Sequence, residues 1–542
     1  MKELRSIGEV PVRAAEIWGR RTALIFNNHR FSYDDLRRSV MALAAKLTET
    51  GLERGQRVAV LMDNRPEYLI AYFAVPAAGG TLVPLNTFLA QAELHDLFVD
   101  CGAAILITAD ASLRKAAPAL RGLRDLREII VCGEFGADPP PVPLHMNVSG
   151  FSISMAPDES RLPNSSPPTH PPGEEDVAVI VYTSGTTGTP KGVMLTHRNL
   201  LSNSEACIEA VGVTERDRIL LFLPMFHSFT EMVGLLAPMM AGMSMVLCER
   251  VDRAEIRKAI LRHRPTIVPA VPAVFTAMSQ ARVGALARWF NPVRLYISGG
   301  APLSLETLQK FEELYRRPLC EGYGLSEASP VVAINPPVGV RKPGSIGLPL
   351  PGLRIRLLDT EGRAVEKGGT GELLVRGPNV MKGYFRRPEE TARVLADGWL
   401  HTGDLVRMDE DGYLFVMGRS KDMLICRGMN VYPREIEDVL EGHPLVKEAA
   451  VVGVPDASRG EVPFAFIVGL PGQIIDEAEL RRVCLARLAR YKLPRVFKVV
   501  KELPRNPAGK VMKEALKAEA LLSLPAERGS GGRADRARQA GM

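Results

Sequence analysis

Residues 177–193 read Val177-Ala-Val-Ile-Val-Tyr-Thr-Ser-Gly-Thr-Thr-Gly-Thr-Pro-Lys-Gly-Val193. The first half is a β-branched apolar run, the signature of a strand buried on both faces. The second half packs hydroxyl side chains, two close glycines and one lysine into a loop. Glycine lets backbone N–H groups approach an anion, Ser and Thr hydroxyls donate further bonds, and a lysine offsets charge, so the loop suits a phosphate chain. It departs from the P-loop pattern. Gly185 and Gly188 are too close together, and Lys191 is followed by Gly192, not by the Ser or Thr that would meet a metal.

Working outward, β-branched runs such as Gln56–Leu61, Ala104–Thr108, Glu128–Val131, Thr266–Val271 and Arg294–Ser298 alternate with amphipathic stretches. Tyr33–Thr50, Leu305–Tyr315 and Arg434–Leu440 carry apolar residues at helical spacing. Such alternation predicts parallel sheets flanked by helices, with ligands beyond the carboxyl ends of the strands. From about Gly344 the texture shifts to short strands and Gly-rich turns (Leu353–Leu358, Gly371–Arg376, Gly412–Met417), which predicts a smaller antiparallel unit. Pro139–Glu175 is Pro- and Ser-rich and reads as a surface connection without regular structure, and residues after about Leu521 read as a disordered tail.

The 542 residues exceed one domain at roughly 150 residues each. Lys and Arg total 68 against 62 Asp and Glu, leaving +6, too little to require nucleic acid as a partner. Seven scattered cysteines without a Cys-x-x-Cys pair argue against a disulfide framework or a thiolate zinc site, and fit a reducing, cytoplasmic setting. The segment before Arg21 is charged throughout and lacks a signal-peptide core. Met232–Cys248 is uncharged but short and broken by Gly234, Pro238 and Gly242, so it reads as buried helix, turn and strand rather than a membrane span. At most peripheral membrane contact is expected, and a homodimer is compatible with the sequence. The nine histidines show no metal-ligand spacing, and no Gly-x-Ser-x-Gly elbow supports serine hydrolysis.

Further motifs follow the loop in order: Leu223-Pro-Met-Phe-His227, Ser298-Gly-Gly-Ala-Pro302, Glu321-Gly-Tyr-Gly-Leu-Ser-Glu327 and Gly398-Trp-Leu-His-Thr-Gly-Asp404. Then come Gly418-Arg-Ser-Lys-Asp422, Gly428-Met-Asn-Val-Tyr-Pro433 and Pro504-Arg-Asn-Pro-Ala-Gly-Lys510. With the loop, this series resembles the adenylate-forming, AMP-binding superfamily across about residues 10 to 520. It is most similar to bacterial medium- and long-chain fatty acyl-CoA synthetases.

The resemblance implies an α/β fold. Residues 1–420 would form a large N-terminal domain, with two parallel-type α/β subdomains and a small β-barrel-like one. A small mobile α+β C-terminal domain would cover 421–520, and 521–542 the tail. It implies ATP, Mg²⁺ and coenzyme A as cofactor and co-substrates. Thr183, Ser184, Gly185, Thr186, Thr187, Gly188 and Lys191 would hold phosphates, and Gly300, Ala301 and Pro302 would line the adenine pocket. In Glu321, Gly322, Tyr323, Gly324, Ser326 and Glu327, the aromatic would stack on adenine, the hydroxyl touch phosphate and Glu327, with Thr183, hold the metal. Magnesium takes hard oxygens and shares carboxylates with substrate phosphates. Asp404, assisted by Arg419, would bind the ribose diol.

By the same resemblance Lys510 would reach between the acyl carboxylate and the α-phosphate, where a fixed cation lowers the barrier as negative charge grows. Lys421 matches a hinge, and Gly428 a pantetheine tunnel that a side chain would obstruct. His227 would border the acyl site as a gate rather than a general base. After it, Ser-Phe-Thr-Glu-Met-Val-Gly-Leu-Leu-Ala-Pro-Met-Met offers an apolar, Met-containing wall suited to an alkyl chain, with Glu231 a departure unless it faces solvent. The implied reaction is ligation of a fatty acid to coenzyme A through an acyl-adenylate. Transfer of an acyl or aryl acid to a carrier protein and a non-catalytic lipid- or nucleotide-binding protein are the alternatives.

Overall fold

In the computed structural model the described residues are 4–133, 142–143, 145–153, 172–183, 190–281, 290–426, 429–456, 459–473, 475–505 and 511–523. The chain forms two compact units, Met1–Val416 and Met417–Met542. Their boundary falls inside the strand Leu414–Arg419, just ahead of the expected 420/421.

The first unit contains two large sheets. In one, Leu319–Gly324, Leu295–Ser298, Ile267–Ala270, Arg218–Leu221, Ser244–Leu247 and Thr22–Phe26 lie side by side in that order, all parallel. In the other, Val177–Thr183, Thr81–Pro84, Arg57–Leu61, Ile105–Ala109 and Glu128–Cys132 form the parallel core. Every residue of Ile105–Ala109 is buried, as expected where helices cover both faces. The helix Tyr33–Glu49 begins in a capping box, Ser32 accepting from the Asp35 N–H and Asp35 from the Ser32 N–H, which satisfies two donors at the helix start. That helix and Pro66–Ala77 contribute Tyr33, Tyr68, Tyr72 and Phe73, all almost fully buried, to a core cluster that draws on both sheets. An antiparallel sheet, Arg354–Leu358, Thr370–Arg376 and Trp399–Met408, completes the unit.

One expectation fails. Pro139–Glu175 is not devoid of regular structure, because Asn147–Phe151 adds a strand parallel to Glu128–Cys132. It is an edge strand with no fully buried residue, paired through its backbone and through Ser149 Oγ donating to Glu128 Oε1 at 2.7 Å, so its short sequence carries little apolar alternation to read. The stretch after Glu231 is the expected helix, turn and strand, with Glu231–Leu236 wound as a π-helix ahead of Ala237–Ala241 and Ser244–Leu247. No helix among the described residues is long and apolar enough to cross a membrane. All seven cysteines are free and buried.

The second unit is α+β. Strands Val446–Asp456 and Gly460–Gly469 pair antiparallel, Val496–Val500 runs parallel to the latter, and helices Pro433–Glu441, Glu477–Arg487 and Lys513–Ser523 add Ile436, Leu480, Cys484 and Leu516 to its core.

Candidate active site

Parallel strands end on one edge of a sheet. In the nine-stranded sheet the carboxyl ends of Arg218–Leu221, Leu295–Ser298 and Leu319–Gly324 lead into His227, the 299–302 strip and the 322–327 turn. Three of the quoted motifs therefore share the edge where ligands of such sheets bind.

Cross-links between these segments build the site. Tyr323 Oη donates to Asp404 Oδ2, joining the residue expected at adenine to the one expected at ribose. Ser326 Oγ lies 3.3 Å from Ser228 Oγ. Glu321 is buried and its Oε1 accepts from the Leu303 N–H at 3.0 Å, so it anchors the end of the 300–302 strip. A Cβ on Gly299 would stand 2.9 Å from the Phe229 ring, hence only glycine lets the helix after His227 press against that strip. Gly300 has φ +84°, a left-handed conformation that L side chains rarely adopt.

In the other sheet, Val177–Thr183 turns back into Lys191–Thr196, with Thr183 opposite Lys191. The Gly-rich loop is the connection of this hairpin, and Ser184, Gly185, Thr186, Thr187 and Gly188 lie outside the described residues. The hairpin base is anchored by Tyr182 Oη donating to Asp100 Oδ2 at 2.5 Å, while Arg387 Nη2 donates to Asp100 Oδ1 at 2.9 Å; burial and the Asp100 bond push the Tyr182 phenol well above its ordinary range. Lys191 Nζ sits 5.2 Å from the centroid of the Tyr384 ring, and Tyr384 Oη donates to Glu327 Oε1 at 2.8 Å. Sequence reasoning passed over Tyr384 and Phe229. Glu327 and Thr183 offer hard oxygens, the donor type magnesium takes. No cluster of three or more His, Cys, Asp or Glu fit for a metal occurs among the described residues.

His227 caps the following helical turn, its Nδ1 accepting from the Phe229 N–H at 3.3 Å. With Nδ1 an acceptor, the neutral ring carries its proton on Nε2 and is a donor there. Glu231 does not face solvent. It is 4% exposed, Tyr68 Oη donates to its Oε1 at 3.0 Å, and burial raises its pKa to about 8. Buried beside it, Tyr68 and Tyr72 have phenols pushed well above their ordinary range, by burial first and by the Glu231 charge second.

In the second unit, Arg419 ends the strand Leu414–Arg419 and Lys421 lies in the turn Ser420–Asp422, its Nζ 3.2 Å from Glu514 Oε1. Gly428 and Lys510 lie outside the described residues.

Residues 12–385 match the AMP-binding enzyme family and residues 435–510 its C-terminal domain. The chain belongs to that family, the adenylate-forming one its motifs resemble. It is 37% identical over 522 residues to a long-chain-fatty-acid–CoA ligase of Bacillus subtilis, covering 92% of each chain. It is also 37% identical over 516 residues to a feruloyl-CoA synthase of Amycolatopsis, covering 94% of this chain and 98% of the other. Among solved structures, ATP-bound MatB from Rhodopseudomonas palustris superposes with a TM-score of 0.82 at 32% identity, covering 95% of this chain and 99% of that one.

Proposed function

We propose that this chain is an acid–CoA ligase that activates a carboxylic acid with ATP as an acyl-adenylate, releases pyrophosphate, and passes the acyl group to the coenzyme A thiol with release of AMP. The observation that carries this reading is the joining of Tyr323 to Asp404, and of Tyr384 to Glu327 through its hydroxyl and to Lys191 through its ring, in a chain aligned nearly end to end with CoA-forming relatives. Tyr323 and Asp404 hold adenosine, with Arg419 assisting. The hairpin loop and Lys191 hold the phosphates, and Lys510 bridges the acid and the α-phosphate. Glu327 and Thr183 would hold magnesium, which supplies charge neutralisation among the phosphate oxygens when bound. Gly428 leaves room for the thiol arm, and Lys421 is the hinge between the two half-reactions. The enzyme works in the cytoplasm.

The acid is a medium- or long-chain fatty acid. The segment after His227 is apolar, and its carboxyl is turned to Tyr68 instead of solvent, so Glu231 adds no open charge there. Alkyl and aryl relatives stand at equal identity, so the deciding experiment is a panel. Pyrophosphate release is measured with fatty acids of increasing length, with ferulate and with coumarate, then thioester formation with coenzyme A and with holo-acyl carrier protein. Turnover of the fatty acids with coenzyme A is expected. Turnover confined to the hydroxycinnamates, or transfer only to the carrier protein, overturns the reading.

A further inference from the structure

The strongest unassigned feature of the site is Tyr384, 8% exposed. Its hydroxyl donates to Glu327 Oε1 at 2.8 Å. Three residues earlier, the Met381 N–H donates to the Glu327 carbonyl at 2.9 Å. The segment 381–384 thus grips Glu327 at both its backbone and its side chain. The same segment pairs antiparallel with the strand leaving the Gly-rich loop, Tyr384 opposite Val193 and Gly383 opposite Met194. The Phe385 N–H donates to the Gly192 carbonyl at 2.7 Å, so the ring is carried directly beside Lys191, whose ammonium lies 5.2 Å from its centroid. Gly383, at φ +145°, brings the chain within 2.7 Å of Thr391 Cγ2 for any added Cβ. Thr391 Oγ1 in turn accepts from the Tyr384 N–H at 2.9 Å. Tyr384 is therefore held at its backbone N–H, its hydroxyl and its ring face.

A carboxylate has two oxygens. With Oε1 fixed by a phenol, Oε2 is the oxygen left to face a cation, and the carboxylate loses the freedom to rotate away from it. A cation over the ring face is attracted by the ring quadrupole, so the same side chain also biases where Lys191 rests. We infer that Tyr384 is a positioning residue that sets the Glu327 carboxylate and the Lys191 ammonium together for a divalent metal–ATP complex. This deepens the reading above and rests on Glu327 being a metal-holding residue.

The test uses the full chain and Mn²⁺ as the probe, read by electron paramagnetic resonance in the presence of ATP, with metal-free ATP binding measured calorimetrically in parallel. The variants are Tyr384→Phe, Tyr384→Leu, Glu327→Gln and the Phe/Gln double variant, each checked for an unchanged thermal transition. Tyr384→Phe removes a hydrogen bond to a charged group and is expected to weaken Mn²⁺ binding roughly tenfold while leaving metal-free ATP affinity as it is. Tyr384→Leu also removes the ring under Lys191, so metal-free ATP binding should weaken as well, by roughly threefold. Because both substitutions act on one carboxylate, the double variant should be no weaker than Glu327→Gln alone. Weak Mn²⁺ binding in Glu327→Gln with wild-type binding in Tyr384→Phe, or additive losses in the double variant, overturns this inference. Wild-type Mn²⁺ binding in Glu327→Gln overturns the metal reading beneath it.

Discussion

Replacing Glu231 with glutamine removes an ionisable group from the core of the first unit while keeping an oxygen to accept from Tyr68 Oη. In the folded chain the carboxyl titrates near pH 8, against an ordinary value of 4.5. The cause is burial, with the Tyr68 bond opposing it. Between those two values the unfolded chain has lost this proton and the folded chain keeps it. The unfolded state therefore binds fewer protons, and stability falls as pH rises through the window from about 4.5 to about 8. At about pH 7.5, three pH units above the ordinary value at about 1.4 kcal/mol per unit, this group costs the wild type about 4 kcal/mol of stability relative to its acid limit. Glutamine has no such slope. The variant should match the wild type near pH 4.5 and exceed it progressively, by about 4 kcal/mol near pH 7.5.

Urea unfolding followed by tryptophan fluorescence measures this directly. The chain has three tryptophans, Trp18, Trp289 and Trp399, all within Met1–Val416, so the signal reports the unit that holds Glu231. Subtracting the two proteins at each pH cancels every other titrating group. A stability difference that stays flat between pH 5 and 8, or a variant less stable throughout, refutes the reasoning, because either result means the carboxyl is not held neutral by burial.

Lys510→Ala should slow adenylate and pyrophosphate formation by about 10² to 10³ while sparing thioester formation from supplied acyl-adenylate; equal loss in both half-reactions removes the lysine from its assigned place. Lys421→Pro fixes φ near roughly −65° in the turn Ser420–Asp422, and single-turnover assays should find acyl-AMP accumulating while acyl-CoA output collapses. Wild-type thioester formation by a variant whose circular dichroism is unchanged moves the hinge elsewhere.

The fold was legible where burial dictates composition. Val177–Thr183 and Ile105–Ala109 are apolar runs because both faces are covered, and Tyr33–Glu49 announces itself through spacing and its Ser32 cap. Asn147–Phe151 was not legible, since a five-residue edge strand with no fully buried residue needs no continuous apolar run. Within the site, the motifs on glycine-marked turns at strand ends carried the resemblance, and the structure brings Tyr323 to Asp404 and Ser326 to Ser228. Tyr384 could not be found, as its partner lies 57 residues away and a Gly-Tyr-Phe run is unremarkable by itself. The orientation of Glu231 depends on Tyr68, 163 residues distant, and one-dimensional patterning carries no information on such a pairing.

Those long-range partners have an energetic consequence of their own. Glu231, Glu321 and Asp404 are all buried, and a carboxylate taken from water without compensation costs several kcal/mol. Each is met by a group from another segment: Tyr68 Oη, the Leu303 N–H and Tyr323 Oη. Two of these three partners are tyrosine hydroxyls, so Tyr→Phe, an apparently mild change, removes a bond from a buried carboxyl group. The damage then differs with the carboxylate's charge. Glu231 is kept neutral by burial below about pH 8, so Tyr68→Phe costs the modest loss of a neutral hydrogen bond, about 1 kcal/mol. Tyr323→Phe takes a donor from the residue assigned to the ribose diol while leaving the ring that would stack on adenine. It therefore separates stacking from ribose positioning, and a rise in the ATP requirement with that variant would come from the diol side of the nucleotide alone.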